Sequence, residues 1–136
     1  MPFQPPAGSN PFITLSSPTG VQVASAGLPP TNVFAPGTPF TVSLTANLAG
    51  VLAPALGATA TFTFSANAET IGVGFEGPLG SAVAPPPGVS RTGNIPVAGL
   101  PAGTYMVTVA VTSTNGGVPT ALSGFESTMI TVQPGA

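Results

Sequence analysis

The chain has 136 residues, 43% of them apolar, and its only charged side chains are Glu69, Glu76, Glu126 and Arg91. It contains no histidine, cysteine, aspartate, lysine or tryptophan, and most enzymes take their proton carriers, nucleophiles and metal ligands from these residue types, so we expect a protein that is not an enzyme and has no metal or cofactor. A single arginine cannot neutralise a row of phosphates, and no apolar run approaches the roughly 20 residues that cross a bilayer, which excludes nucleic acid and membranes as partners.

The first eleven residues contain four prolines around Phe3 and predict an extended arm rather than a strand. Pro-rich segments lose little entropy on docking, and aromatic side chains anchor protein interfaces. The partner-binding candidates here are therefore Phe3, Pro5, Pro6 and Phe12. The alternative is a tail whose Phe3 only touches its own domain.

Alternation of apolar and polar residues predicts strands along the remainder of the chain. It is clearest at residues 40–48, 60–66 and 105–112, and weaker at 12–15, 21–24, 71–75, 95–97 and 128–132. Turns are predicted at Pro36-Gly37, Gly77-Pro78, Gly93-Asn94 and Asn115-Gly116-Gly117. Only residues 47–56 could form a helical turn, and Gly50 and Pro54 interrupt it. Pro85, Pro86 and Pro87 predict a stiff, exposed loop and are further partner-binding candidates.

These short strands, separated by turn residues without helical crossovers, predict an all-β antiparallel sandwich. Residues 100–105, Leu-Pro-Ala-Gly-Thr-Tyr, followed by alternating valines, resemble the sixth strand of immunoglobulin-like domains. The resemblance implies about seven or eight strands over residues 12–133, with an arm at 1–11 and a short tail at 134–136. It also implies a structural role for Tyr105, whose hydroxyl would bond to the backbone of the preceding corner. The cysteine pair and core tryptophan of antibody domains are missing.

Two patterns that could carry chemistry have simpler interpretations. Residues 72–77 match the dinucleotide-binding pattern G-x-G-x-x-G, but Pro78 follows and no helical pattern begins there, so we interpret the match as accidental. The glutamates lack the partners that a catalytic pair or a calcium site needs. A lone arginine often anchors an interface or forms an ion pair, so Arg91 is also a partner-binding candidate.

Neutral, Gly- and Pro-rich immunoglobulin-like domains resemble the capsid decoration, or cement, proteins of tailed phages. The resemblance implies a non-enzymatic structural protein that binds the major capsid protein or copies of itself, as a homo-oligomer for which a trimer is one arrangement. It would be made in the host cytoplasm and located on the virion surface, since residues 1–12 show no secretory signal pattern. Two alternatives stay open: a binding module of an extracellular adhesin, using the loops at 84–91 and 115–120, and a self-assembling fibre subunit.

Overall fold

The computed structural model describes residues 14–17, 19–25, 31–72 and 76–133. This part of the chain forms nine strands and one short helix, so the predicted all-β class is confirmed. The strands are β1 Thr14–Ser16, β2 Gln22–Ala24, β3 Val33–Phe34, β4 Phe40–Ala49, β5 Ala60–Ile71, β6 Gly77–Ala84, β7 Ser90–Val97, β8 Gly103–Asn115 and β9 Val118–Val132, and the helix α1 is Ala53–Thr59. The number of strands exceeds the expected seven or eight, partly because β3 has only two residues, too few for an alternating pattern to be detected.

The first sheet is built around β4. Strands β1 and β2 pair antiparallel with its two ends along one edge, and β7 pairs antiparallel along the opposite edge, from Phe40↔Val97 to Asn47↔Ser90. Side chains alternate strictly along β4, so Phe40, Val42 and Leu44 are buried while the threonines and serine between them lie at the outer face.

The second sheet has the order β3–β9–β8–β5–β6. All pairs are antiparallel except β3 with β9, which is parallel and joins only Val33↔Thr131 and Phe34↔Val132. The long strands β5, β8 and β9 form the middle of this sheet, with β6 at one edge. The other edge is β3 beside the end of β9 and, among the described strands, β9 alone before Thr131.

The core lies between the two sheets and is lined by alternate residues of both. Phe62 and Phe64 of β5 and Tyr105 of β8 have no exposed surface, and the rings of Phe34 and Phe40 stack with centroids 4.8 Å apart. Burying an aliphatic or aromatic side chain contributes about 1.5–3 kcal/mol, so this layer supplies most of the stability. Strand β6 packs beside β7, which closes one side of the structure.

The prediction of turns at Gly77-Pro78 and Gly93-Asn94 is wrong, because both pairs lie inside strands. Pro78 is tolerated in β6 because β6 is an edge strand, where one side of the backbone needs no partner. A Cβ added at Gly93 would lie 2.4 Å from Cγ of Phe64, so the glycine makes room for an aromatic ring rather than for a turn. The turns predicted at Pro36-Gly37 and Gly116-Gly117 are confirmed.

Pro54, which was expected to interrupt a helical turn, lies within a helix that begins at Ala53. It occupies the first turn of α1, where the missing N–H would have no partner in any case. The predicted arm at residues 1–11, Phe12 and the tail at 134–136 lie outside the described residues.

Candidate protein-contact surfaces

The guanidinium of Arg91 is an internal crosslink. Arg91 is 5% exposed and lies on the inner side of β7. Its Nε donates to the carbonyl of Gly88 at 3.0 Å, Nη1 to Ala84 at 3.2 Å and to Ala60, and Nη2 to Gly57 at 2.6 Å. One side chain therefore ties together α1, the start of β5, the end of β6 and the loop before β7.

Arg91 also stacks against an aromatic ring and against the end of the helix. Its Cζ lies 4.7 Å from the centroid of Phe62, a geometry that is attractive for a cation. The Gly57 and Ala60 carbonyls belong to the C-terminal end of α1, where the backbone carries a partial negative charge. Burial lowers the pKa of the guanidinium from its ordinary value. The carbonyl contacts offset the cost of placing this charge inside the protein.

This location corrects the prediction that Arg91 contacts a partner or forms an ion pair. The planar fork is used as expected for arginine, but its acceptors are carbonyls of its own chain instead of a carboxylate. In the sequence, the polar neighbours Ser90 and Thr92 do not by themselves indicate that Arg91 faces inward. Its position two residues before Gly93 and four before Ile95, all buried, is the signal that could have placed it.

The loop that contains Pro85, Pro86 and Pro87 connects β6 to β7. Pro85 and Pro87 are exposed and Pro86 is partly buried. The loop is fixed on both sides, because Gly88 N–H donates to the Gly57 carbonyl at 2.8 Å and Leu48 N–H donates to the Val89 carbonyl at 2.7 Å. The proline loop is therefore an exposed ridge held on the same framework as Arg91.

Tyr105 holds the corner that precedes β8. Its side chain is fully buried and its hydroxyl donates to the Pro101 carbonyl, four residues upstream, at 2.7 Å. This is the contact that the resemblance of residues 100–105 implies for the tyrosine.

The outer faces of both sheets are almost uncharged. On the first sheet, Thr45 and Thr92 face each other with their hydroxyl oxygens 2.7 Å apart. On the second sheet, Thr108 and Ser127 form a similar pair at 2.8 Å. Glu69 is the charged residue of this second face. These surfaces therefore present hydroxyl groups, methyl groups and little electrostatic repulsion to an approaching protein.

Exposed apolar side chains interrupt the hydroxyl-rich outer face of the second sheet. Met106 of β8 is opposite Met129 of β9, and Phe125 lies further along the same side of β9. They are 38%, 40% and 44% exposed, respectively. Aromatic residues and methionine are enriched in protein interfaces, which makes this cluster a candidate contact surface.

Glu69 and Glu76 line one open groove on the outer face of the second sheet. The other lining residues are Asn67, Ala68, Gly77 and Thr108. Among the described residues, no group of three or more His, Cys, Asp or Glu side chains is placed to hold a metal ion. Residues 73–75 of the G-x-G-x-x-G match lie outside the described residues, and Gly77 begins a strand where the dinucleotide motif requires a helix.

Glu126 differs from the other two glutamates because it is buried. It lies on the inner side of β9, opposite Val109 of β8, and is 7% exposed. Its Oε1 atom is buried and accepts no hydrogen bond. Buried polar groups without partners are costly. The other described buried side-chain atoms without a partner are Asn47 Oδ1 and Thr70 Oγ1.

Phe3, Pro5, Pro6 and Phe12 lie outside the described residues, so the arm stays a prediction. None of the described helices is both long enough and apolar enough to cross a membrane. Comparisons of the sequence with models of known protein families and with curated proteins found no match.

Proposed function

We propose that this protein is a non-enzymatic structural protein with an immunoglobulin-like β-sandwich fold, which binds and stabilises a repeating protein assembly, in the first place a phage capsid. The strand order supports the fold. The grouping of β4 with β1, β2 and β7, against β9, β8 and β5, corresponds to the A-B-E and G-F-C strands of immunoglobulin-like domains. The Tyr105 contact with Pro101 supports it independently.

The observation that carries the functional proposal is the distribution of charge. The sequence has one cationic side chain, and that side chain is inside the molecule, bound to its own backbone. The exposed charged side chains are only Glu69 and Glu76. Soluble small domains normally carry about a quarter to a third of their surface as charged residues, which keeps copies apart. A surface with so few charged residues suits a protein that works in close contact with other protein surfaces.

Stabilisation would come from burial repeated over many sites. A standard interface buries about 800 Å² on each partner, and a shell with many such contacts resists expansion even when each contact is weak. The proposed contacts are the arm with Phe3 and Phe12, the proline ridge, and the Met106–Phe125–Met129 cluster. A homo-oligomer, with a trimer as one arrangement, would bring several copies of these contacts to one site.

The test is cosedimentation with capsids of the phage that encodes the chain, assembled without it. We expect the protein to sediment with the capsids and to raise the temperature at which they disrupt. Deletion of residues 1–11 should weaken binding if the arm contributes, and unchanged binding by the shortened protein would remove the arm from the mechanism. Absence of the protein from purified virions, together with no binding to capsids, would end the capsid proposal.

A second candidate function is a fibre subunit that polymerises by strand addition. It is favoured by the lack of a described partner strand for β9 before Thr131. Light scattering over a wide concentration range separates the two candidates. Growth of filaments with concentration would support the fibre, whereas a discrete trimer or a monomer would support binding to an existing assembly.

A further inference from the structure

Among the described strands, β9 has no pairing partner along the edge that precedes its short pairing with β3. Thr131 N–H donates to the Asn32 carbonyl and Gln133 N–H donates to the Phe34 carbonyl. Because backbone groups of alternate residues face the same edge of a strand, the N–H and C=O groups of Phe125, Ser127 and Met129 face this edge as well. Among the described strands, none pairs with them.

Glu126 lies at the inner side of this open edge. A strand added to β9 would place one of its inward side chains directly opposite Glu126, with Cβ atoms about 4.5–5.5 Å apart. A lysine or arginine in that position would bring a cationic donor beside the Glu126 carboxyl group, whose buried Oε1 atom has no hydrogen-bond partner. An extended segment with a basic side chain at this position would therefore both pair with the edge of β9 and provide a partner for the Glu126 carboxyl group.

The outer side of the same edge offers apolar contact. Phe125 and Met129 flank Ser127 and are both exposed. Alternate side chains of an added strand would cover them, since the two faces of a strand alternate with period two. Backbone hydrogen bonds, one inward charge and outward apolar contacts together make a site for a peptide in β-augmentation.

A second copy of this chain has no free basic side chain that could supply the cation. The sequence has no lysine, and its one arginine is Arg91, which is buried in β7 and bound to four carbonyls of its own chain. In a two-fold pair of β9 strands centred near Glu126, the two carboxylates would face each other, which is unfavourable. The occupant therefore belongs to a different protein.

We infer that β9 accepts an extended segment of another protein, which carries a lysine or arginine in register with Glu126. The inference deepens the proposed function, on which it rests, by giving the partner's contact segment a chemistry: extended, apolar on its outward side and basic at one inward position. This is a β-strand ligand rather than a folded surface.

The first measurement is hydrogen exchange of the full chain alone. We expect the amides of Phe125, Ser127 and Met129 to exchange at least about tenfold faster than those of Glu126 and Thr128, which face β8. Slow exchange at all five positions would mean that another part of the chain, such as residues 1–13, already covers the edge. That result would overturn the inference.

The second measurement is selection of binders from a library of short random peptides displayed on mRNA, with the full chain as the target. The enriched peptides should alternate in polarity and share a lysine or arginine at one position. They should lose at least about tenfold in affinity for Glu126→Gln, because a charge-assisted hydrogen bond is lost. No enrichment, enrichment without a basic position, or equal affinity for Glu126→Gln would each overturn the inference.

A matched pair of variants tests whether the peptide uses the backbone. Ser127→Pro removes an N–H at the open edge and keeps the β8 ladder, whereas Ser127→Ala removes only the hydroxyl that contacts Thr108. We expect peptide binding to Ser127→Ala and not to Ser127→Pro. Since proline could disturb folding, the Glu126→Gln comparison decides by itself if Ser127→Pro does not fold.

The peptide experiments and the capsid experiment fail separately. Capsid binding that is unchanged in Glu126→Gln, with no selected peptide, would remove the β9 site and leave the proposed function in place. Selected peptides that depend on Glu126, with no binding to any capsid, would leave β9 as a peptide site and remove the capsid from the proposal.

Discussion

At the scale of single residues, the least predictable feature is Arg91. Sequence reasoning treats an isolated arginine in a neutral chain as a surface group, because buried arginines are rare. The structure instead uses its guanidinium to donate four hydrogen bonds to the carbonyls of four different segments. These carbonyls come from residues 57–88, and their convergence depends on tertiary structure that no local pattern reveals.

Replacement of Arg91 with methionine should lower the free energy of unfolding by about 3 kcal/mol or more, because buried carbonyls lose their donor. Arg91→Lys should recover only part of this loss, since an ammonium group cannot bridge the same fork of acceptors. Thr92→Ala, at the exposed neighbouring position, is the control and should change stability by less than about 1 kcal/mol. Urea unfolding measures all three. A stable Arg91→Met variant would contradict the crosslink.

Tyr105→Phe should lower the free energy of unfolding by about 1–2 kcal/mol, because the Pro101 carbonyl loses the hydroxyl that donates to it at 2.7 Å. The ring stays buried and keeps its packing contacts. The measured difference in the free energy of unfolding therefore reports the loss of the hydroxyl group. Urea unfolding monitored by far-UV circular dichroism provides the measurement. If the midpoint does not move, the corner is held by its packing alone.

At the scale of secondary-structure elements, the strands that the sequence predicts best are those whose inward-facing side chains are apolar. Strands β4, β5 and β8 bury large apolar residues at every second position over long stretches, so period-two alternation located them. Strand β7 alternates as strictly, but its first two inner residues are Arg91 and Gly93, which an apolar pattern does not count. Strand β6 begins with a glycine and a proline, which predict a turn in isolation and are compatible with an edge strand.

Gly93→Ala should destabilise the protein by about 1–3 kcal/mol, because the added methyl group would overlap the ring of Phe64. Phe64→Leu makes room at this contact, at its own cost in packing. The double variant should therefore be more stable than the sum of the two single effects predicts. A double-mutant cycle in urea provides the test, and strict additivity would show that the ring and Gly93 do not meet.

At the scale of the whole molecule, the sequence predicted the fold class and the scarcity of charge, and both describe the surface well. It did not predict that the one cation is internal or that one glutamate is buried beside an open strand edge. Both facts depend on which face of a strand a residue occupies. That choice is set by pairing between segments distant in sequence, so composition alone cannot supply it.

Stability should be nearly constant between pH 6 and 9. The chain has no histidine, cysteine or lysine. Burial lowers the pKa of Arg91, so the unfolded state binds more protons only near the ordinary arginine pKa, where stability would rise with pH. Below that range Arg91 is protonated in both the folded and the unfolded state, so its contribution to the free energy of unfolding does not change with pH. Thermal melts across this window should therefore differ by no more than about 2 °C. A larger change would reveal a coupled assembly.

Added salt should also have little effect, because Arg91 contacts carbonyl dipoles rather than a carboxylate. Screening weakens interactions between exposed charges, and this surface has few. Melting temperatures in low salt and in about 0.5 M sodium chloride should agree within about 2 °C. A large loss in salt would mean that ion pairs with another copy contribute to stability.

The burial of the single arginine gives the molecule a built-in reporter of its own opening. Trypsin cleaves after lysine and arginine, so its only target in this sequence is the bond between Arg91 and Thr92, in the middle of a paired strand. The folded protein should resist the protease, and each opening of β7 should yield the same two fragments, residues 1–91 and 92–136. The rate of a single cut therefore measures how often this part of the structure opens.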